Sequence, residues 1–267
     1  MAEALITAAK CFVPKSKEEE EDIERIYNSY RNIIATLPRN RGWATQHLCQ
    51  YQGFWFQPMV GLEGIMWMQQ HFISRPTDVY LISSPKSVSM SVFPSWILTF
   101  SRPLRLLILK FFHHHVKPKD LPPLSLEDAF EMFCEGISPC GSYWDHVLGY
   151  WKASLEFPSK ILFLKYEDMK EEPLLNIKRV AEFVGRPFSL EEEENGTVQE
   201  ILKLCSFEKM KNLEVNKNGF YRVRNTKNDV FFREGKVGDW ENHLTNEMAE
   251  RLDEIAKQKF HGSGLMF

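Results

Sequence analysis

Lys160-Ile161-Leu162-Phe163-Leu164-Lys165-Tyr166-Glu167-Asp168 is the stretch on which the fold turns. Residues 160–164 carry four consecutive apolar side chains, too short a run for a buried helix and the right length for a buried strand. The run ends abruptly in the polar cluster Lys165-Tyr166-Glu167-Asp168. Ligand groups in α/β proteins sit at the carboxyl ends of parallel strands, which makes Tyr166 a candidate site residue. Glu167 and Asp168 serve equally well as capping or structural residues. Adjacent carboxylates do not face each other across a substrate as a general acid and base would.

Outward from this strand, helical spacing predicts helices over 143–155 before it and 174–184 after it, the latter closed by Gly185. Further helices are expected over 197–204 and 245–259. Residues 125–135 read as a helix with Ser125 as its cap and Leu126, Ala129, Phe130 and Phe133 at helical spacing. A second short buried strand is expected over 78–83, leading into a loop or helix start at 84–91. Strands separated by helices favour a parallel sheet in an α/β architecture.

Nearer the N-terminus, 18–37 has Ile23, Ile26, Tyr27 and Ile34 near one helical face and stops at Pro38. Residues 41–71 are rich in aromatics, with Trp43, Tyr51, Phe54, Trp55, Phe56 and Trp67; core cover and ligand pocket are equally good readings of them. The segment 96–119 is the odd part. Its apolar residues are broken by Arg102, Arg105 and Lys110, too charged for a membrane helix. Three adjacent histidines, His113, His114 and His115, cannot all point into one site from regular structure, which favours a surface junction over a metal centre. The acidic run 191–194 reads as a solvated turn.

The chain has 267 residues, enough for one large α/β domain or two small ones, with 43% apolar and 26% charged residues. Disorder, collagen, a disulfide scaffold and a membrane span are excluded by this balance. A net charge of −3 argues against a nucleic-acid-binding surface while leaving room for a local phosphate site. Five cysteines without metal-binding pairs fit reduced thiols, and no secretory leader is read in the first residues. The cytoplasm is the expected compartment.

Two further segments carry chemistry. Ser83-Ser84-Pro85-Lys86-Ser87-Val88-Ser89 leaves a predicted strand, where backbone N–H groups and Lys86 could receive an anion. It is not a Walker A loop, and a structural turn is at least as good a reading. Phe232-Arg233-Glu234-Gly235-Lys236-Val237-Gly238-Asp239-Trp240 sets two cations beside glycines that allow close backbone approach to a phosphate; a solvated turn is the alternative.

Joined in this order, the segments resemble those of plant cytosolic sulfotransferases. The likeness extends through Tyr51-Gln52-Gly53-Phe54-Trp55, Arg75-Pro76-Thr77-Asp78, Leu124-Ser125-Leu126-Glu127-Asp128-Ala129-Phe130, Lys165-Tyr166-Glu167-Asp168-Met169-Lys170-Glu171 and His261-Gly262-Ser263-Gly264. It implies a three-layer α/β fold with a central parallel sheet, like that of P-loop nucleoside-triphosphate hydrolases and incomplete in the middle. It also implies a single domain over 1–267, with an N-terminal helix and aromatic segment (18–72), an altered donor loop (78–91), a shortened junction (93–119) and a C-terminal nucleotide-binding half (124–267).

The family transfers the sulfonate of 3′-phosphoadenosine 5′-phosphosulfate (PAPS) to a hydroxyl group on a small acceptor such as a flavonoid or steroid, without a metal. By resemblance, Lys86, Ser87 and Ser89 belong to the loop that holds the phosphosulfate, with Lys86 assisting the leaving group. Tyr166, Ser206 and Phe207 fall on the adenine side, Arg233 and Gly235 at the 3′ phosphate, and Arg102 stands as a remnant of the family's 3′-phosphate arginine.

Several positions depart from the family. Val88 stands in place of a glycine, Met90 of a threonine and Ser91 of a tryptophan; Glu234 and Glu241 replace lysines. The family stretch that carries the catalytic histidine has no counterpart between Phe93 and Lys119, and no base can be assigned. Impaired transfer is therefore expected, and the alternative is an inactive relative that binds nucleotide weakly. Two mismatches in the animal dimer motif, which would fall on Glu241, Thr245, Asn246 and Glu250, leave a monomer as the expected state. Neither nucleic acid nor membrane is expected as a partner.

Overall fold

The computed structural model of the protein describes residues 16–43, 45–58, 62–73, 80–83, 97–101, 124–139, 141–221, 226–232 and 239–266. Its contacts divide into two compact units, Met1–Ile73 with Ile108–His146, and Ser74–Leu107 with Val147–Phe267.

In the first unit, α1 (Lys17–Thr36) starts where Ser16 Oγ accepts the Glu19 backbone N–H at 3.2 Å. Glu18, Glu19 and Glu20 sit at the positive end of the helix dipole. The helix stops at Leu37, whose extended backbone is what the following Pro38 requires. Its buried Tyr30 and Ile34 pack with Cys49, Leu62 and Met66 into one core cluster. Strands β1 (Arg39–Arg41), β2 (His47–Tyr51) and β3 (Phe54–Phe56) form an antiparallel meander. Tyr51 pairs with Phe54, so Gln52-Gly53 is a two-residue turn, with φ of 50° and 85° at its two positions. These strands were not expected from the aromatic composition of 41–71. Helix α2 (Glu63–His71) is tied to α1 by Tyr30 Oη donating to Gln70 Oε1 at 2.7 Å.

The same unit holds α3 (Leu126–Cys134), with Ser125 as its N-cap as expected, its Oγ accepting from Asp128 N at 3.0 Å. Trp43 is buried and its indole N–H donates to the Ile137 carbonyl at 3.1 Å. Phe133, Tyr143 and Trp144 are buried against one another. For Trp43, core cover is thus the correct reading. Helix α4 (Tyr143–Glu156) begins in this unit and ends in the next.

The second unit is built on a parallel sheet of β4 (Tyr80–Ser83), β5 (Ile97–Ser101) and β6 (Ile161–Lys165), with β5 in the centre. The expected strand at 160–164 is displaced by one residue, because Lys165 still pairs with Ser101. β5 was not anticipated. Its five residues lie inside the segment 96–119 and are too few to show a strand period of their own.

Helices follow the sheet: α5 (Tyr166–Glu171), α6 (Pro173–Phe183), α7 (Leu190–Glu194), α8 (Thr197–Leu204), α9 (Phe207–Asn212) and α10 (Glu214–Asn218). Leu164 of β6 is buried against Met169, Val180 and Phe183 of α5 and α6. The acidic run 191–194 is a helical turn rather than a plain solvated turn. Ser189 and Glu192 close a reciprocal capping box around it, which overrides the repulsion among its glutamates. A hairpin of β7 (Phe220–Tyr221) and β8 (Thr226–Lys227) precedes 3₁₀ turns at Asn228–Phe231 and Asp239–Asn242. The last helix, α11 (Asn246–Phe260), is capped by Thr245.

Candidate functional site

The sheet register sets the geometry. Ser83 pairs with Phe100, Phe100 with Leu164, and Ser101 with Lys165. Three parallel strands therefore end level with one another, and the chain leaves all three from one edge. The residues that follow in sequence are Ser84–Ser91 after β4, Arg102 after β5 and Tyr166 after β6. Of the residues singled out in the sequence, Lys86, Ser87, Ser89, Arg102, Arg233 and Gly235 lie outside the described residues, as do Val88, Met90, Ser91 and His113–His115.

Tyr166 opens α5 and is half-buried. The junction that carries it is locked from behind by Asn176 of α6, which is 1% exposed. Asn176 Nδ2 donates to the carbonyls of Asp168 at 2.8 Å and Glu172 at 3.0 Å, while its Oδ1 accepts from Arg179 Nη1 at 3.0 Å. Both of its N–H donors are thus turned to the α5–α6 junction, while the bond to its oxygen lies within α6. No sequence signal marks Asn176, since an asparagine inside a helix carries no motif.

Glu167, beside Tyr166, has its Oε2 buried without a hydrogen-bond partner. Burial raises its pKa above the ordinary glutamate range, with Asp168 and Glu171 adding to the shift; its own backbone N–H and Lys165 oppose it.

Ser206 and Phe207 sit at the start of α9. The Ser206 hydroxyl accepts from Lys209 N at 3.3 Å and is thereby committed to the helix cap. The Phe207 ring, half-buried, meets the Phe232 ring at 5.9 Å between centroids, tilted by 55°. Lys211 Nζ stands 5.8 Å from the Phe207 centroid. Phe232 immediately precedes Arg233 in the chain, so this ring contact fixes the Ser206-Phe207 pair beside the point where the glycine-rich closing segment begins. Among the described residues, no group of three His, Cys, Asp or Glu side chains is placed to hold a metal ion. No helix among them is long and apolar enough to cross a membrane.

An α/β unit with parallel strands ending at one edge, an aromatic residue directly after β6, and a second aromatic pinned beside the start of a glycine-rich segment belongs to the class that builds its site at the carboxyl edge of a sheet. The sulfotransferase domain model matches residues 72–264. Cytosolic sulfotransferase 16 of Arabidopsis thaliana is 35% identical, covering 93% of this chain and 95% of the relative. Flavonol 3-sulfotransferase of Flaveria bidentis is 42% identical over 77% of this chain and 67% of its own length. A putative steroid sulphotransferase of Arabidopsis thaliana superposes with a TM-score of 0.67 at 26% identity, over 91% of this chain and 97% of that one. A mouse sulfotransferase solved with PAP shares the fold, with a TM-score of 0.65 over 81% of this chain and 95% of its own. The chain belongs to the sulfotransferase family.

The pairing with cytosolic sulfotransferase 16 is longer than this chain. It spans 322 positions, whereas this chain has 267 residues. At least 55 aligned positions therefore face no residue of this chain.

Proposed function

We propose that this protein binds PAPS, and its product adenosine 3′,5′-bisphosphate, at the carboxyl edge of the β4–β5–β6 sheet, and that it transfers sulfonate to a small hydroxyl acceptor only feebly. The observation that carries this reading is the sheet register, which sends the chain out to Lys86, Arg102 and Tyr166 from one edge. In this reading Tyr166 and Phe207 flank the adenine, and Arg233 and Gly235 receive the 3′ phosphate. The half-buried Phe207 ring suits a base stacked on it.

PAPS supplies a sulfonate on a good leaving group. In the transfer, an acceptor oxygen bonds to sulfur as the S–O bond to the 5′ phosphate breaks. The electron pair passes to the phosphate, where Lys86 offsets the developing charge, and the acceptor proton must go to a base. The missing aligned positions and the absence of an assignable histidine leave that proton without a positioned acceptor. A base of this kind supplies about 10²–10⁴-fold. Val88 stands at the family's glycine position, where a β-branched side chain disfavours the close phosphate approach that glycine allows.

The acceptor class is the small hydroxyl compounds of the flavonoid and steroid kind named for the relatives, and the cytoplasm is the compartment of action. We also read the two compact units as parts of one functional sulfotransferase domain, acting as a monomer. Calorimetric titration of the reduced protein with adenosine 3′,5′-bisphosphate tests the reading. Saturable binding that weakens in Arg233→Ala supports it, and a cooperatively folded protein that releases no heat sinks it.

A further inference from the structure

The segment after α11 is a built element rather than a loose end. Gly262 and Gly264 turn the backbone through φ of 70° and 76°, values that side-chain-bearing residues adopt at a cost. Between them, the Ser263 Oγ donates to the Phe260 carbonyl at 2.6 Å and accepts from Leu265 N at 3.1 Å, which closes the segment on the end of α11. Leu265 is buried, at 5% exposure.

Three contacts then link this segment to β6, the strand that leads into Tyr166. The indole N–H of Trp151 in α4 donates to the Ser263 carbonyl at 2.9 Å, and the Trp151 ring packs edge-on against Phe163 of β6 at 5.4 Å between centroids. Lys165, the last residue of β6, donates from Nζ to the Met266 carbonyl at 2.6 Å. Lys165 is bonded in the chain to Tyr166. The ammonium that stands next to the site edge is therefore engaged by a backbone carbonyl.

We infer that residues 262–266 form a strap that fixes the β6–α5 junction, and that Trp151 and Lys165 act as positioning residues for Tyr166. This rests on the reading above, in which Tyr166 flanks the nucleotide's adenine. The strap holds the residue before Tyr166, and Asn176 holds the Asp168 and Glu172 carbonyls that follow it. Neither Trp151 nor Lys165 touches the nucleotide in this account; both act through the aromatic ring at position 166.

The test uses Lys165→Met, which keeps the aliphatic stem and removes the donor, and Trp151→Phe, which keeps the ring contact and removes the N–H. Adenosine 3′,5′-bisphosphate affinity is measured by calorimetry for each variant, alone and combined with Tyr166→Ala. The strap predicts a loss of roughly five- to tenfold in the single variants, the scale of one ordinary hydrogen bond. It also predicts no further loss when Tyr166 is already alanine, an interaction that a general loss of stability does not produce. Unchanged affinity in both single variants, or losses that simply add to that of Tyr166→Ala, overturn the inference.

Amide hydrogen exchange separates failure of the strap from failure of the nucleotide reading. If the parent protein binds no nucleotide, the strap still requires faster exchange across Tyr166–Glu171 in Lys165→Met and Trp151→Phe than in the parent. Equal exchange there rejects it.

Discussion

At residue 207, the ring of a half-buried phenylalanine meets Phe232, and in the proposed function the same ring stacks on the adenine. Phe207→Ala should weaken adenosine 3′,5′-bisphosphate binding by about tenfold, since a base stacked on an aromatic ring is worth about 1–3 kcal/mol. Calorimetry on the variant checks this, and Phe207→Tyr, which retains a ring, should restore most of the affinity. Glu167 gives a pH signature. Its folded-state pKa lies above its unfolded value because the carboxyl is buried, so the folded state holds the proton longer as pH rises. Its stabilising contribution is complete below the ordinary glutamate pKa and is lost as pH climbs through the raised one. Urea unfolding across pH 4–8 should therefore show a decline in stability over that window which Glu167→Gln flattens, the glutamine having no proton to lose. A decline of equal steepness in both proteins would remove Glu167 as its source.

At the scale of elements, the junction of β6 with α5 and α6 is the part that the site depends on most. Asn176→Ala removes two hydrogen bonds to backbone carbonyls from a buried position, and should cost about 2 kcal/mol in chemical unfolding. It should also weaken nucleotide binding, because α5 begins at Tyr166. Much at this scale was legible in the sequence. Ser125 announced the start of α3 and Gly185 the end of α6, because capping is a local interaction between residues close in the chain. β5 was not legible: a five-residue strand in the middle of a sheet draws its stability from neighbours on both sides, and its own residues carry no period to betray it. α5 and the meander β1–β3 were missed for the same reason, being set by register and packing. Asn176 and the strap contacts are tertiary pairings between residues far apart in sequence, which no local pattern encodes.

For the molecule as a whole, binding and transfer are expected to part company. Tyr166 and Phe207 belong to the C-terminal half, 124–267, while in the proposed function the stretch that carries the family's proton acceptor has no counterpart. Incubation with PAPS and a panel of flavonols and hydroxysteroids should give turnover at least about 10²-fold below that of an intact relative, the lower bound for losing a positioned base. Rates equal to those of such a relative would show that another group takes the proton. The most direct single measurement is calorimetric titration of the reduced, full-length chain with adenosine 3′,5′-bisphosphate, run beside Tyr166→Ala. The account predicts saturable one-to-one binding in the parent and a marked loss in the variant. A cooperatively folded parent that releases no heat, or equal binding in both proteins, would contradict it.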